Sequence, residues 1–191
     1  MTNVEGIRFI LSGVSDTGRE IRIEAVTDKD GLAKFEGVPV GTYTITEDGS
    51  TVPAAYLTAD EQEVTVEYNE TAEVAFENIE KTGSIVVHKT TEGQRNIEGI
   101  KFYLRGTSDT GREIDIPTVT DKDGIAKFEN IPIGTYMVIE DEETVPYGYL
   151  VADEKEVKVE YAQTIDATIL NEEKTGSITV HKATEGQKNI E

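Results

Sequence analysis

Apolar and polar residues alternate in short runs along the whole chain, and the runs are rich in Val, Ile, Thr, Tyr and Phe. A period of two sends successive side chains to opposite faces, so each run reads as a half-buried β-strand. Between residues 83 and 172 the pattern predicts strands near 84–90, 99–105, 112–119, 125–129, 134–141, 155–161 and 165–171. Turn signals separate them: Ser108-Asp109-Thr110-Gly111, Asp121-Lys122-Asp123-Gly124, and the Pro132-Ile133-Gly134 lead into a strand. No stretch sustains a 3.6-residue period. Seven short strands in about 93 residues have the size and rhythm of an immunoglobulin-like sandwich, so the expected fold class is all-β.

The pattern occurs twice. Asn3-Val4-Glu5-Gly6-Ile7-Arg8-Phe9 returns as Asn96-Ile97-Glu98-Gly99-Ile100-Lys101-Phe102, and Glu80-Lys81-Thr82-Gly83 returns as Glu173-Lys174-Thr175-Gly176. The offset is 93 throughout, with no insertion or deletion, so residues 3–98 match residues 96–191. The strand that opens the second repeat, Ser84-Ile85-Val86-Val87-His88-Lys89, has no counterpart before Asn3. Its copy, Ser177-Ile178-Thr179-Val180-His181-Lys182, stands near the C-terminus. The expected organisation is a domain over 1–82 lacking its first strand, a complete domain over 83–172, and a spare first strand within 173–191.

Three polar residues extend apolar rows in the second repeat. Ile85 and Val87 share a face with Lys89, Tyr136 and Val138 with Glu140, and Ala167 and Ile169 with Asn171. Burying an unpaired charge costs several kcal/mol, and a lone buried amide costs roughly 1–3 kcal/mol. If the three meet, burial favours a neutral amine beside a neutral acid. The amine is then a nucleophile, and the acid can polarise the asparagine carbonyl. Attack of Lys89 on Asn171 would release ammonia and leave an amide between side chains. On alternation alone a buried salt bridge with a neighbouring hydrogen bond, or strand-end residues that reach solvent, explains the pattern equally well. In the first repeat the glutamate maps to Glu47 and the asparagine to Asn78, which shares a face with Val74 and Phe76.

Composition narrows the function classes. The formal charge of −20 over 191 residues leaves nothing to neutralise a phosphate backbone or dock on anionic lipid. No apolar run is long enough to insert in a membrane, and cysteine is absent. The first residues have no basic, apolar leader, so an export signal and an anchor are expected outside this sequence.

In the order and spacing of its motifs the chain resembles the collagen-adhesin B-type (Cna B) domain of surface proteins and pilins of Gram-positive bacteria. The residues that carry the resemblance are Gly83-Ser84-Ile85-Val86-Val87-His88-Lys89, Gly99-Ile100-Lys101-Phe102-Tyr103-Leu104 and Thr120-Asp121-Lys122-Asp123-Gly124. They continue with Gly134-Thr135-Tyr136 leading to Glu140, then Pro146-Tyr147-Gly148-Tyr149, and a closing strand that ends at Asn171. The resemblance implies a Lys89–Asn171 isopeptide bond, Glu140 as its catalyst, no cofactor, and a mechanical role in an extracellular, cell-wall-anchored stalk. For the first repeat it implies Glu47 as catalyst and Asn78 as acceptor. There Pro53-Ala54-Ala55-Tyr56 replaces Pro-x-Gly-Tyr, and the only lysine in register is Lys182.

Strand 177–182 is accordingly expected to enter the first domain of another molecule, with Lys182 bonding Asn78, in a ring or a filament. The competing explanation is an arbitrary chain boundary with a frayed first domain. Two other functions compete with the stalk: an adhesin module for host matrix or glycan, and an engineered self-ligating material. Contacts with a host would otherwise fall to other parts of the parent protein.

Other signals carry less. Asp-Lys-Asp-Gly at 28–31 and 121–124 resembles the start of a calcium loop but lacks the later ligands, so it reads as a β-turn. His88 and His181 fall on the outward face as isolated residues, so no metal site is expected. A Ser-His-Asp system and a phosphate loop are both unsupported, and a turnover enzyme is not expected.

Overall fold

The computed structural model describes residues 4–93, 97–182 and 185–186. Its second repeat holds seven strands: β5 (Thr82–Thr91), β6 (Lys101–Ser108), β7 (Glu113–Val119), β8 (Ile125–Pro132), β9 (Gly134–Glu140), β10 (Lys155–Val159) and β11 (Thr164–Asn171). These lie where the alternation predicts strands. They form a four-stranded sheet of order β10-β9-β6-β7 and a three-stranded sheet of order β11-β5-β8. Side chains of both sheets meet in one core that includes Val87, Phe102, Leu104, Phe128, Tyr136, Val138 and Ile169.

Strand β5 is the centre of the smaller sheet. It pairs antiparallel with β8, and parallel with β11 from Thr164↔Ser84 to Asn171↔Thr91. Its face alternates without a break, burying Gly83, Ile85, Val87, Lys89 and Thr91. Gly83 is required by close approach: a Cβ there would lie 2.4 Å from the Glu160 carbonyl oxygen and 2.8 Å from that of Gln163.

The first repeat forms β1 (Arg8–Ser15), β2 (Glu20–Val26), β3 (Gly41–Glu47) and β4 (Gln62–Val66), in one sheet of order β2-β1-β3-β4. This matches the larger sheet of the second repeat. Segments 32–39 and 71–78 are the copies of β8 and β11, yet neither is assigned as a strand. Both flanking strands of the second repeat take their ladder from β5, and no described residue holds that place in the first repeat. The core thins accordingly. Six residues are buried there against fifteen in the second repeat, and Ala33, Phe35, Val38 and Phe76 are only partly covered. Val74 is 37% exposed, whereas its copy Ala167 is fully buried.

The connector between the repeats is held from both sides. Tyr56 bridges Glu80, and the Lys81 amide donates to the Ala55 carbonyl at 2.8 Å. From the second repeat, the Ile133 amide donates to the Lys81 carbonyl at 3.0 Å. Thr110 and Arg112 donate to the two oxygens of the Glu80 carboxylate, at 2.5 and 3.0 Å. The far end of the second repeat copies the first half of this joint, with Tyr149 bridging Glu173 and the Lys174 amide donating to the Gly148 carbonyl at 2.8 Å. Gly148 is not in a left-handed conformation and a Cβ there meets nothing, so Ala55 fills the same turn in the first repeat without strain.

Backbone amides in a ladder exchange slowly, and unpaired ones do not. In hydrogen exchange on monomeric chain, amides of 32–39 and 71–78 should exchange at least tenfold faster than those of 125–132 and 164–171. Equal protection in the two pairs would show that β5 is not what orders its neighbours.

Candidate functional site

Lys89, Glu140 and Asn171 converge at one end of the sandwich. Lys89 and Asn171 come from the adjacent parallel strands β5 and β11, with Lys89 opposite Ile169 and Asn171 opposite Thr91. They therefore share the inward face one pleat apart. Glu140 is the last residue of β9 and reaches them from the opposing sheet. The Lys89 and Glu140 side chains are 0% and 1% exposed, with Lys89 Nζ 3.7 Å from Glu140 Oε1. Asn171, also fully buried, donates from Nδ2 to Glu140 Oε2 at 2.6 Å.

Two backbone groups complete the site. The Ala152 amide donates to Glu140 Oε2 at 2.9 Å, and Lys89 Nζ donates to the Thr90 carbonyl at 2.5 Å. Neither was visible in the sequence, because every residue carries these groups and only the chain path selects them. Glu140 Oε1 and Asn171 Oδ1 remain without a hydrogen-bond partner. The Asn171 carbonyl is thus free of competing donors, and its amide and the Lys89 amine both meet the Glu140 carboxylate. Burial pushes the Lys89 amine below its ordinary value of 10.5, against the opposing pull of the Glu140 carboxylate 3.7 Å away. A buried amine of lowered basicity, a carboxyl in contact with both partners and an amide are together equipped for acyl transfer from nitrogen to nitrogen.

The first repeat repeats two of the three groups. Glu47, at the end of β3, is buried and accepts from the Ala59 amide and from Asn78 Nδ2, both at 2.7 Å, through Oε2. Asn78 also donates to the Leu57 carbonyl at 3.0 Å. Glu47 Oε1, the oxygen that in the second repeat faces the lysine, has no hydrogen-bond partner. Lys182 lies exposed on the C-terminal segment.

His88 corrects one expectation. It is not isolated: its Nε2 lies 2.6 Å from Asp166 Oδ1 across the β5–β11 ladder, on the outer face. The two Asp-Lys-Asp-Gly turns are closed by their own first aspartates, Asp28 and Asp121, each accepting two backbone amides. Among the described residues no group of His, Asp or Glu is placed to hold a metal ion, and no helix is long and apolar enough to cross a membrane.

The model of the SpaA prealbumin-like fold domain family matches residues 1–80 and again 83–173. The chain belongs to this family. Among solved structures, the SpaA-type sandwiches of this chain are similar to the Bacillus anthracis TIE protein, with a TM-score of 0.63 at 22% identity over 88% of this chain and 31% of that one. The chain therefore spans about a third of that protein. GBS52, the minor pilin of Streptococcus agalactiae, gives a TM-score of 0.46 at 18% identity, covering 95% of this chain and 88% of that one. The shaft pilin SpaA of Lactobacillus rhamnosus GG gives 0.41 at 17% identity, covering 92% and 90%. A comparison with curated proteins finds no match.

The two polar side-chain contacts on β5, His88–Asp166 outside and Lys89–Glu140 inside, should behave very differently in this SpaA-type domain. Asp166→Asn removes an exposed pair and should cost under about 1 kcal/mol. Compared in an Asn171→Ala background, where Lys89 keeps its free amine, Glu140→Ala leaves that buried amine without its carboxylate and should cost about 3–5 kcal/mol by denaturant unfolding. A lysine held below its ordinary value binds its proton more weakly folded than unfolded. The stability of Glu140→Ala should therefore rise as pH climbs through the folded value towards 10.5. A flat or falling profile in that window would show that Lys89 has gained access to water.

Proposed function

We propose that the chain is a load-bearing spacer from a bacterial surface stalk, in which Lys89 and Asn171 join through an autocatalytic isopeptide bond. The observation that carries the proposal is the sealed contact of Lys89, Glu140 and Asn171 in the core. Glu140 takes the ammonium proton, and the neutral Lys89 Nζ attacks Asn171 Cγ. The Nζ–Cγ bond forms and the Cγ–Nδ2 bond breaks. One further amine proton passes through the Glu140 carboxyl to Nδ2, which departs as ammonia. A half-turn of the Asn171 amide presents Oδ1 to the protonated carboxyl, which stabilises the developing oxyanion. The protein is consumed as its own substrate, so there is no turnover.

The topology explains why such a bond suits a stalk. Tension enters the second repeat at Thr82 and leaves beyond Asn171, the outer ends of its first and last strands. A bond between Lys89 and Asn171 carries force straight from β5 to β11, and the roughly 80 residues between them bear none of it. The hydrogen-bonded joint at Glu80 extends the same path from one repeat to the next. Placement on the cell surface belongs to this reading too.

Intact-mass spectrometry of denatured chain tests the bond. The expected mass for the Lys89–Asn171 site is lower by one ammonia, and Glu140→Gln or Asn171→Ala restores it. In the chain-entropy treatment of cross-links, closing a loop of about 80 residues contributes about 4 kcal/mol. For a domain of this size that corresponds to a Tm of the second repeat higher by about 15–30 °C than in Asn171→Ala. An unmodified mass at this site in fully folded protein defeats the reading.

A further inference from the structure

The outer edge of the first repeat's sheet can take a further strand. Among the described residues β2 pairs with β1 alone, at the end of the order β2-β1-β3-β4. Both ends of that ladder fix which residues bond inward. The Ser15 amide donates to the Arg19 carbonyl and the Thr27 amide to the Ile7 carbonyl, each at 2.9 Å. In an antiparallel ladder, residues that bond to the neighbouring strand alternate with residues that do not. Residues 21, 23 and 25 therefore bond to β1. Glu20, Arg22, Glu24 and Val26 point their amides and carbonyls out of the sheet.

The second repeat blunts the same edge. β7 is the copy of β2, and its outward residues, fixed by the same two end bonds at Arg112 and Thr120, are Glu113, Asp115, Pro117 and Val119. Proline has no amide, so Pro117 removes a donor from the middle of that edge. Its copy in the first repeat is Glu24, which keeps the amide. The opposite edges are blunted in other ways: β10 carries Lys155 and Lys158, and β4 spans only five residues.

The strand that fits β2 is another β2. Laid antiparallel about Ile23, two copies overlap over all seven residues. Arg22 then lies opposite Glu24 of the other copy, twice, and Glu20 opposite Val26. Every outward residue falls in a hydrogen-bonded pair, giving about eight backbone hydrogen bonds. A slip of two residues sets Arg22 against Arg22 or Glu24 against Glu24, and a slip of one breaks the bonding, so the register is specified. Arg22 and Glu24 are 62% and 48% exposed in their side chains and lie 3.2 Å apart on their own strand. Paired strands would close them into a square of alternating charge. The same register in β7 sets Asp115 against Pro117 and gains nothing.

We infer that two copies of the chain associate edge to edge through β2, joining their four-stranded sheets into one continuous sheet across a twofold axis. The contact is isologous, so it closes at a dimer. The exposed charge pairs contribute little and set the register, while the backbone bonds hold the strands. The formal charge of −20 on each copy opposes association, and about 0.15 M salt screens it beyond about 8 Å. The association involves neither Lys89 nor Asn171 and is independent of a bond between them.

Sedimentation equilibrium of the 191-residue chain at that salt, from about 1 µM to about 1 mM, tests the pairing. We expect a monomer–dimer equilibrium with no larger species. In hydrogen exchange the amides of Glu20, Arg22, Glu24 and Val26 should gain protection as concentration rises, and those of Glu113, Asp115 and Val119 should not. Glu24→Pro, which copies Pro117, should stay monomeric with an unchanged circular dichroism spectrum. Arg22→Glu should weaken the dimer about tenfold, because two pairs reverse together, and adding Glu24→Arg should restore it. Monomer at every concentration overturns the inference. So does a dimer that survives Glu24→Pro, or one that Arg22→Glu leaves as tight as before.

Discussion

The central position of β5 is the constraint on which both repeats depend. A three-stranded sheet with one middle strand has no redundancy: β8 and β11 each find their ladder on β5 and nowhere else. Where β5 is present, its neighbours are strands and fifteen residues of the core are buried. Where its place is open, 32–39, close in sequence to β8, and 71–78, which keeps the alternation of β11, form no ladder. Propensity is therefore not what decides these strands. The pairing partner is, because a lone extended segment leaves its amides to water and its apolar face half covered.

The same strand carries the chemistry. Holding a lysine, a glutamate and an asparagine in a dry core costs several kcal/mol unless the groups satisfy one another. Here they do so incompletely, since Glu140 Oε1 and Asn171 Oδ1 keep no hydrogen-bond partner. An amide bond would remove the amine's charge altogether and convert an expensive arrangement into a neutral one. Burial thus both disfavours the unreacted state and prepares the nucleophile. In the first repeat Glu47 and Asn78 hold each other in place, and among the described residues none meets Glu47 Oε1 with a hydrogen bond.

Much of this was legible in the sequence. Period-two rows ending in Lys89, Glu140 and Asn171 marked the three residues, because the pleat sends every second side chain inward whatever the rest of the fold does. The exact 93-residue offset pointed to Glu47 and Asn78, which meet in the first repeat, and to Lys182, which lies exposed on the C-terminal segment. His88 was misread as solitary because its partner Asp166 lies 78 positions away, on a strand whose adjacency no local pattern reveals. The Ala152 amide and the Thr90 carbonyl left no signal at all, being groups that every residue shares.

The sequence by itself determined which segments alternate, which of their faces turns inward, the repeat and the three kinds of side chain on that face, since all of these follow from local periodicity and self-similarity. Only the tertiary structure decided that β11 runs parallel to β5, that Glu140 crosses from the opposing sheet, that Glu80 is gripped from both repeats and that 32–39 and 71–78 stay unpaired. These are matters of which distant segments lie side by side. A ladder is an agreement between two backbones, and neither segment's own residues specify the other.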